Sequence, residues 1–237
     1  MDIGKAFSFV FDDEQWLTSI LVAGLITILF FVPIVNIFAI LILMGYMLET
    51  ARNVAAGNPR PLPKWNDIGT KLSLGFSSFL IGLVYMLPLL ILSLLFVCIA
   101  AGLGGASARN ENALVAVLGG SFFCFLPLVI LAGLALQPLV LAATARYLQT
   151  GSLGAAFRVG EVFSLVRADM AGWLILFLLY LLCSVVASAG SMIVIGFLFT
   201  YPYSQAVFGH LLGQKLIQLN QPTGYGTGYS PPPASML

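Results

Sequence analysis

Charge is what this sequence has least of. Only 8% of its 237 residues are Asp, Glu, Lys or Arg, and four long stretches hold none: Gln15 to Leu48, Leu72 to Ala108, Asn112 to Ala145 and Met170 to Gln214. Soluble domains are about one-quarter charged, so an ordinary soluble domain is excluded. Histidine occurs once, at His210. Two histidines therefore cannot clasp a haem within the chain. A Ser-His-Asp triad would rest on that single ring, and a metal hydrolase site would lack its usual ligands. The three cysteines, Cys98, Cys124 and Cys183, all lie in apolar stretches and show no CxxC spacing. They read as small apolar residues, with no metal site among them. A net charge of +1 gives no basic patch for nucleic acid. No basic segment leads the first apolar stretch, which follows Asp12, Asp13 and Glu14. It is expected to be a permanent membrane segment and not a cleavable signal peptide.

What is present is apolar: 60% of the residues are hydrophobic. A helix needs roughly 20 apolar residues to cross a bilayer core, and every charge-free stretch is longer. The expected fold is an all-α integral membrane protein. The first stretch breaks at Pro33-Ile34-Val35-Asn36, because proline removes a backbone donor that lipid cannot replace. This divides it into Trp16–Val32 and Val35–Ala51, two arms of a tight hairpin. Each arm has only about 17 residues, so a re-entrant hairpin also fits. The remaining crossings are expected near Gly75–Ala101, Ala113–Ala145, Gly172–Ala189 and Met192–Leu216. Gly102–Ala108 reads as a loop, and Pro127 and Pro138 as kinks. Six crossings put Lys5, Arg52, Arg60, Lys64, Lys71, Arg146, Arg158, Arg167 and Lys215 on one side and Arg109 on the other. By the positive-inside rule both termini are cytoplasmic.

The chain also echoes itself. Thr50-Ala51-Arg52 precedes Gly57 by the same spacing that separates Thr144-Ala145-Arg146 from Gly151. Pro138 lies eight residues before Arg146, and Pro202 eight before His210. Three segments have an apolar face at helical spacing. Ile3, Phe7, Val10 and Phe11 form the first, Trp65, Ile68, Leu72 and Phe76 the second. Ala155, Ala156, Val159, Val162, Phe163, Val166 and Met170 form the third. Each reads as an amphipathic helix on the membrane interface. The expected architecture is a single helical membrane domain over residues 1–221, built from repeats 1–57, 58–151 and 152–221. Each repeat would be an interfacial helix followed by a membrane hairpin.

Gly45-Tyr46-Met47-Leu48, then Ala51-Arg52, then Pro61-Leu62-Pro63-Lys64-Trp65-Asn66-Asp67 resembles the central signature of the domain-of-unknown-function 4013 family. His210-Leu211-Leu212-Gly213-Gln214 resembles the family's ending. The resemblance spans about Phe9 to Gln218. It implies a small prokaryotic multi-pass protein of the cytoplasmic (inner) membrane. It implies no activity, catalytic residue or cofactor.

The candidate residues each have a structural alternative. His210 could hold a cofactor metal, but an interfacial polar role is the simpler reading. Asn36, Gln137 and Gln205 are polar residues in apolar surroundings and could line a path. Asn36 and Gln137 also suit a hairpin cap and a proline kink. Arg60 and Trp65, in the stiff segment Pro59–Trp65, could dock a partner or anionic lipid, or simply set the angle at which the chain re-enters the membrane. The glycines at 75, 82, 102, 104, 105, 119, 120, 133, 190 and 196 report close helix packing. Residues 222–237 form a Gly/Tyr/Pro-rich tail that cannot bury a core. Its Tyr225, Tyr229, Pro231, Pro232 and Pro233 suit a partner surface. No ionisable residue lies near the centre of an apolar stretch, which argues against ion-coupled transport. The expectation is a non-enzymatic accessory or scaffolding subunit of a larger membrane complex, without cofactors. Its partners would be the bilayer and other membrane subunits or further copies of itself. The alternative is a passive channel or transporter for a small neutral or lipidic solute.

Overall fold

The computed structural model describes residues 1–107, 111–192 and 194–220. Every regular element among them is helical. Helix α1 (Ile3–Ser8) runs into a 3-10 turn, Phe9–Asp12, and α2 (Trp16–Ile28) ends in another, Leu29–Phe31. Then follow α3 (Val35–Ala55), α4 (Ile68–Ser107), α5 (Glu111–Thr150), α6 (Leu153–Ala156), α7 (Val159–Ala168) and α8 (Met170–Ala189). A 3-10 turn, Gly190–Met192, leads to α9 (Val194–Asn220).

Four helical segments are long and apolar enough to cross a membrane: Val35–Ala55, Ile68–Gly102, Gly119–Thr150 and Met170–Met192. The α1–α2 pair bends by 98° and adds a fifth if taken as one broken span. The chain is thus a multi-pass helical membrane protein. Helix α9 has the length for a sixth crossing, 27 residues. Tyr201, Tyr203, Ser204, Gln205, His210, Gln214 and Lys215 lower its apolar character.

Three sequence expectations need correction. Residues Trp65–Phe76 do not form a separate interfacial helix, because α4 begins at Ile68 and runs on without a break. Lys71, the charge that would turn that segment towards water, is wholly buried against α3. Gly102–Ala108 is not a loop up to Ser107, where α4 still continues although Gly102, Gly104 and Gly105 are weak helix formers. Third, α2 does not fold back tightly on α3. It packs chiefly on α9, where a Cβ at Gly24 would lie 2.5 Å from the Leu198 carbonyl oxygen.

The break between α2 and α3 falls at Pro33, as its missing N–H requires. Ile34 there has φ 71° and ψ −49°. This is a γ-turn closed by the Val35 N–H on the Pro33 carbonyl at 2.9 Å, a rare and strained conformation for a β-branched residue. Gly57 and Gly151 have φ 74° and 69°. Each lies just past the end of a long helix, and its N–H returns to that helix: Gly57 to the Val54 carbonyl at 3.0 Å, Gly151 to that of Tyr147 at 2.8 Å. Only glycine takes this helix-ending geometry without cost.

The core lies where α3, α4, α8 and α9 meet. Helices α3 and α4 cross at glycine on glycine. A Cβ at Gly45 would collide with the Lys71 carbonyl, and one at Gly75 with that of Leu41. Helices α3 and α9 meet through Gly209 and Gly213, whose Cβ positions fall on Met47, Ala51 and Val54. Van der Waals packing and backbone proximity, which drive helix association in lipid, need such small residues. Tyr46, Leu43, Leu48, Trp173, Phe208, Leu211 and Leu212 fill the space around them.

Helices α4 and α5 form a second body. Each has 40 residues, about 60 Å of helix at 1.5 Å per residue. Their lower parts join the core; Tyr85 donates to the Ala156 carbonyl at 2.8 Å. From Met86 to Gly102 and from Gly119 to Val140 no residue is buried. There the two helices hold each other, with the Phe96 and Phe125 rings stacked 3.8 Å apart.

Candidate functional site

Apart from Glu111 at the start of α5, the described charged residues collect at one rim of the bundle, and two lysines are sunk into it. Lys71 Nζ, fully buried, donates to the Lys64 carbonyl at 2.5 Å and the Asp67 carbonyl at 3.3 Å. It lies 2.9 Å from Glu49 Oε2, although off the line of a good hydrogen bond, and 5.3 Å from the centre of the Trp65 ring. Lys215 repeats the arrangement on the other flank. It is 1% exposed, pairs with Asp169 and sits 5.0 Å over the Trp173 ring. An ammonium can leave water only with such partners. Neither lysine is therefore a solvated rim charge.

Each lysine site stands at the start of a membrane helix that is capped by aspartate. Asp67 accepts from the Thr70 N–H at 3.0 Å and from its hydroxyl at 2.5 Å; these bonds hold its carboxyl below the usual range. Asp169 accepts from the Gly172 N–H at 3.0 Å. Burial pushes its carboxyl up, but the Lys215 and Gly172 hydrogen bonds and the Lys215 charge outweigh that and hold it below the ordinary value. Helix α7, ahead of α8, keeps Val162 and Val166 buried and Glu161 outward between Arg158 at 3.1 Å and Arg146 at 3.3 Å.

His210 is 4% exposed and stacked on Phe9 at 4.4 Å. Gln214 exchanges hydrogen bonds with the Asp2 backbone, N–H to Oε1 at 2.6 Å and Nε2–H to the carbonyl at 2.8 Å. That fixes the amide's orientation, so the same Nε2 group donates to His210 Nδ1 at 3.1 Å. The ring thereby fastens the N-terminus to α9. A cavity of about 480 Å³ opens beside it, lined by Asp2, Lys5, Phe9, Asp12 and Asn58 among others. Among the described residues no three His, Cys, Asp or Glu side chains gather as metal ligands.

The Pro59–Trp65 segment lies folded onto the bundle. Pro61, Leu62 and Pro63 are buried, and the Asn53 side chain donates to the Pro61 carbonyl at 3.0 Å. Trp65 turns inward, stacked 5.2 Å from Tyr46, with its indole N–H on the Ser19 carbonyl at 3.0 Å. Arg60 remains exposed, paired with Glu14 at 2.7 Å. Tyr225, Tyr229 and Pro231–Pro233 lie outside the described residues.

The polar candidates do not converge. Asn36 sits in the first turn of α3 and Gln137 next to Pro138 in α5. Gln205 lines a cleft of about 240 Å³ between α8 and α9 that includes neither. From α8 the cleft takes Tyr180, Cys183, Ser184 and Ser188, and from α9 Tyr201, Ser204 and Gln205. The Ser204 hydroxyl is buried without a hydrogen-bond partner. Sequence reasoning named Gln205 alone. The signal was present in the spacing: positions 180, 183, 184, 187 and 188 share one face of α8, and 197, 201, 204, 205 and 208 one face of α9.

Several helices long and apolar enough to cross a membrane define the class: a helical integral membrane protein. Residues 28–199 match the family described as "Protein of unknown function (DUF4013)", and the chain belongs to that family. No curated protein and no solved structure matches it.

Proposed function

We propose that the chain is a non-enzymatic accessory or scaffolding subunit of a larger membrane complex. The α4–α5 hairpin carries this reading. The apolar segment Ile68–Gly102 has 35 residues, about 52 Å of helix, against a bilayer core of about 30 Å. Even the largest usual tilt, about 40°, accommodates only about 39 Å. The outer hairpin nevertheless carries Leu94, 65% exposed, and Phe123, 80% exposed. Lipid alone does not cover that length, whereas the side of a second membrane subunit would. The glycines that the sequence offered as lateral contacts are partly consumed within the chain, at Gly75, Gly190 and Gly196. The hairpin takes over as the contact, with Arg60 and the tail as docking points at the rim.

In this reading α9 is a full sixth crossing. The six crossings alternate in direction through the cytoplasmic (inner) membrane of a prokaryote, as three consecutive antiparallel pairs of which α2–α3 is not packed as a tight hairpin, with both termini in the cytoplasm. The matching helix-ending glycines Gly57 and Gly151 support the repeat, and the basic rim supports the orientation. Native mass measurement in mild detergent is expected to find the 25.3 kDa chain in a larger assembly, and Phe122→Ser with Phe123→Ser to release it. A strictly monomeric wild-type species would overturn the reading.

A passive channel or transporter for a small neutral or lipidic solute is the second reading, favoured by the α8–α9 cleft. It predicts that Gln205→Leu slows solute flux into liposomes several-fold, while Asn36→Leu and Gln137→Leu, away from the cleft, do not. Unchanged flux in Gln205→Leu removes its basis.

A further inference from the structure

We infer that the α8–α9 cleft is a binding site for the head of an uncharged, hydroxyl-bearing lipid of the diacylglycerol type. The cleft starts at Tyr180, halfway along α8, and reaches Ser188 near its end away from the charged rim. It therefore lies at membrane depth, where an occupant arrives from the lipid.

Its chemistry selects against charge. Among the described residues no Asp, Glu, Lys, Arg or His lines it. An ionised head would be stripped of water there without a counter-charge. The lining asks instead for hydroxyls. Ser184 donates to the Tyr180 carbonyl at 2.9 Å and Ser188 to the Ser184 carbonyl at 2.8 Å, so each oxygen keeps lone pairs to accept a bond from a ligand. Gln205 offers a donor and an acceptor. Ser204 has its hydroxyl buried and unpaired, a state that favours a ligand able to bond it. Phe197, Phe208 and Ala187 complete the lining and suit the first carbons of acyl chains. At about 30 Å³ per water, a cleft of about 240 Å³ takes a glyceryl head and leaves the chains in the bilayer. A free polyol shares this hydroxyl chemistry; the apolar lining and lateral access favour the lipid. The site requires binding only, so it stands or falls separately from flux and from assembly.

Cys183 lines the cleft as a buried free thiol, while Cys98 and Cys124 lie exposed on α4 and α5. In a Cys98→Ser, Cys124→Ser background Cys183 is the only thiol left to react. Alkylation of this full-length variant in nanodiscs by N-ethylmaleimide can be followed by intact mass. Dioleoylglycerol at about ten times its Kd is expected to slow the reaction about tenfold, following 1 + [L]/Kd. Dioleoylphosphatidylglycerol should leave the rate unchanged. Ser204→Ala with Gln205→Leu should abolish protection, and Ser204→Thr should retain it. The proposal is overturned if dioleoylglycerol gives no protection, or if the charged lipid protects equally. It is also overturned if the double variant is protected as well as the parent, if aqueous glycerol protects as well as the lipid, or if Cys183 does not react at all. Should the double variant fail to fold, the lipid comparison on the parent decides alone.

Discussion

Gly45→Ala is expected to lower the unfolding temperature in detergent by on the order of 10 °C, a loss of about 4 kcal/mol or more. One methyl group has this effect because of what it meets. The new carbon would fall on the backbone carbonyl of Lys71, and a helix backbone cannot swing aside as a side-chain tip can. Helices α3 and α4 would have to separate, carrying with them the Lys71 site and the stacking of Tyr46 on Trp65. Gly75→Ala is expected to do the same against Leu41. Gly82, on the same helix as Gly75, has open space at its Cβ position. Gly82→Ala should be neutral or stabilising by up to about 1 kcal/mol, as alanine suits a helix better. Melts of the three variants by near-UV circular dichroism test the crossing. Similar values for Gly45→Ala and Gly82→Ala would refute it.

Glu49→Gln is expected to cost about 3 kcal/mol or more, within the range for breaking a buried ion pair. Lys71 has no exposure and cannot recover water. After the change it would keep only two carbonyls and the Trp65 ring. Lys71→Met should cost less, since Glu49 is 22% exposed in its side chain and water can reach its carboxylate. The double change Lys71→Met with Glu49→Leu should regain much of the loss, because two apolar side chains often replace a buried pair without penalty. A double-mutant cycle on unfolding free energies measures the coupling. Additive single losses would mean that the two charges do not act on each other.

Much of the frame was legible in the sequence because lipid imposes simple rules. Runs without charge located α3, α4, α5 and α8 within several residues, and Pro33 marked the turn into α3. Gly57 and Gly151, noticed as a repeated spacing, proved to end two helices in the same way. Pairing was less legible, because hydropathy records what a helix avoids and not which neighbour it meets. Gly45 drew notice within the Gly-Tyr-Met-Leu signature, but nothing local says that its missing side chain admits the Lys71 carbonyl. Gly24 and Gly209 make similar close approaches without having been singled out, and Gly213 drew notice only within the family's ending, while Gly82, Gly119 and Gly120 were singled out and face open space. Lys71 and Lys215 stand at the edges of apolar runs, where an exposed charge is the ordinary expectation. Their burial depends on carboxylates and indoles brought in from other segments. The α8–α9 cleft escaped notice because serine, tyrosine and cysteine interrupt an apolar helix too mildly to stand out one by one.

Helix α9 is the surface against which α1, α2, α3 and α8 come to rest, and the N-terminus is tied to it through Asp2 and Gln214. A ribosome makes that surface after all four of those helices. At roughly 5–20 residues per second, α3 is threaded into the membrane many seconds before α9 exists. Its Gly209- and Gly213-matched face meanwhile meets only lipid. The four helices therefore come together only once α9 has been made. A transcript that stops short of α9 would leave the earlier helices inserted but without the element that unites them, the form most open to membrane proteases.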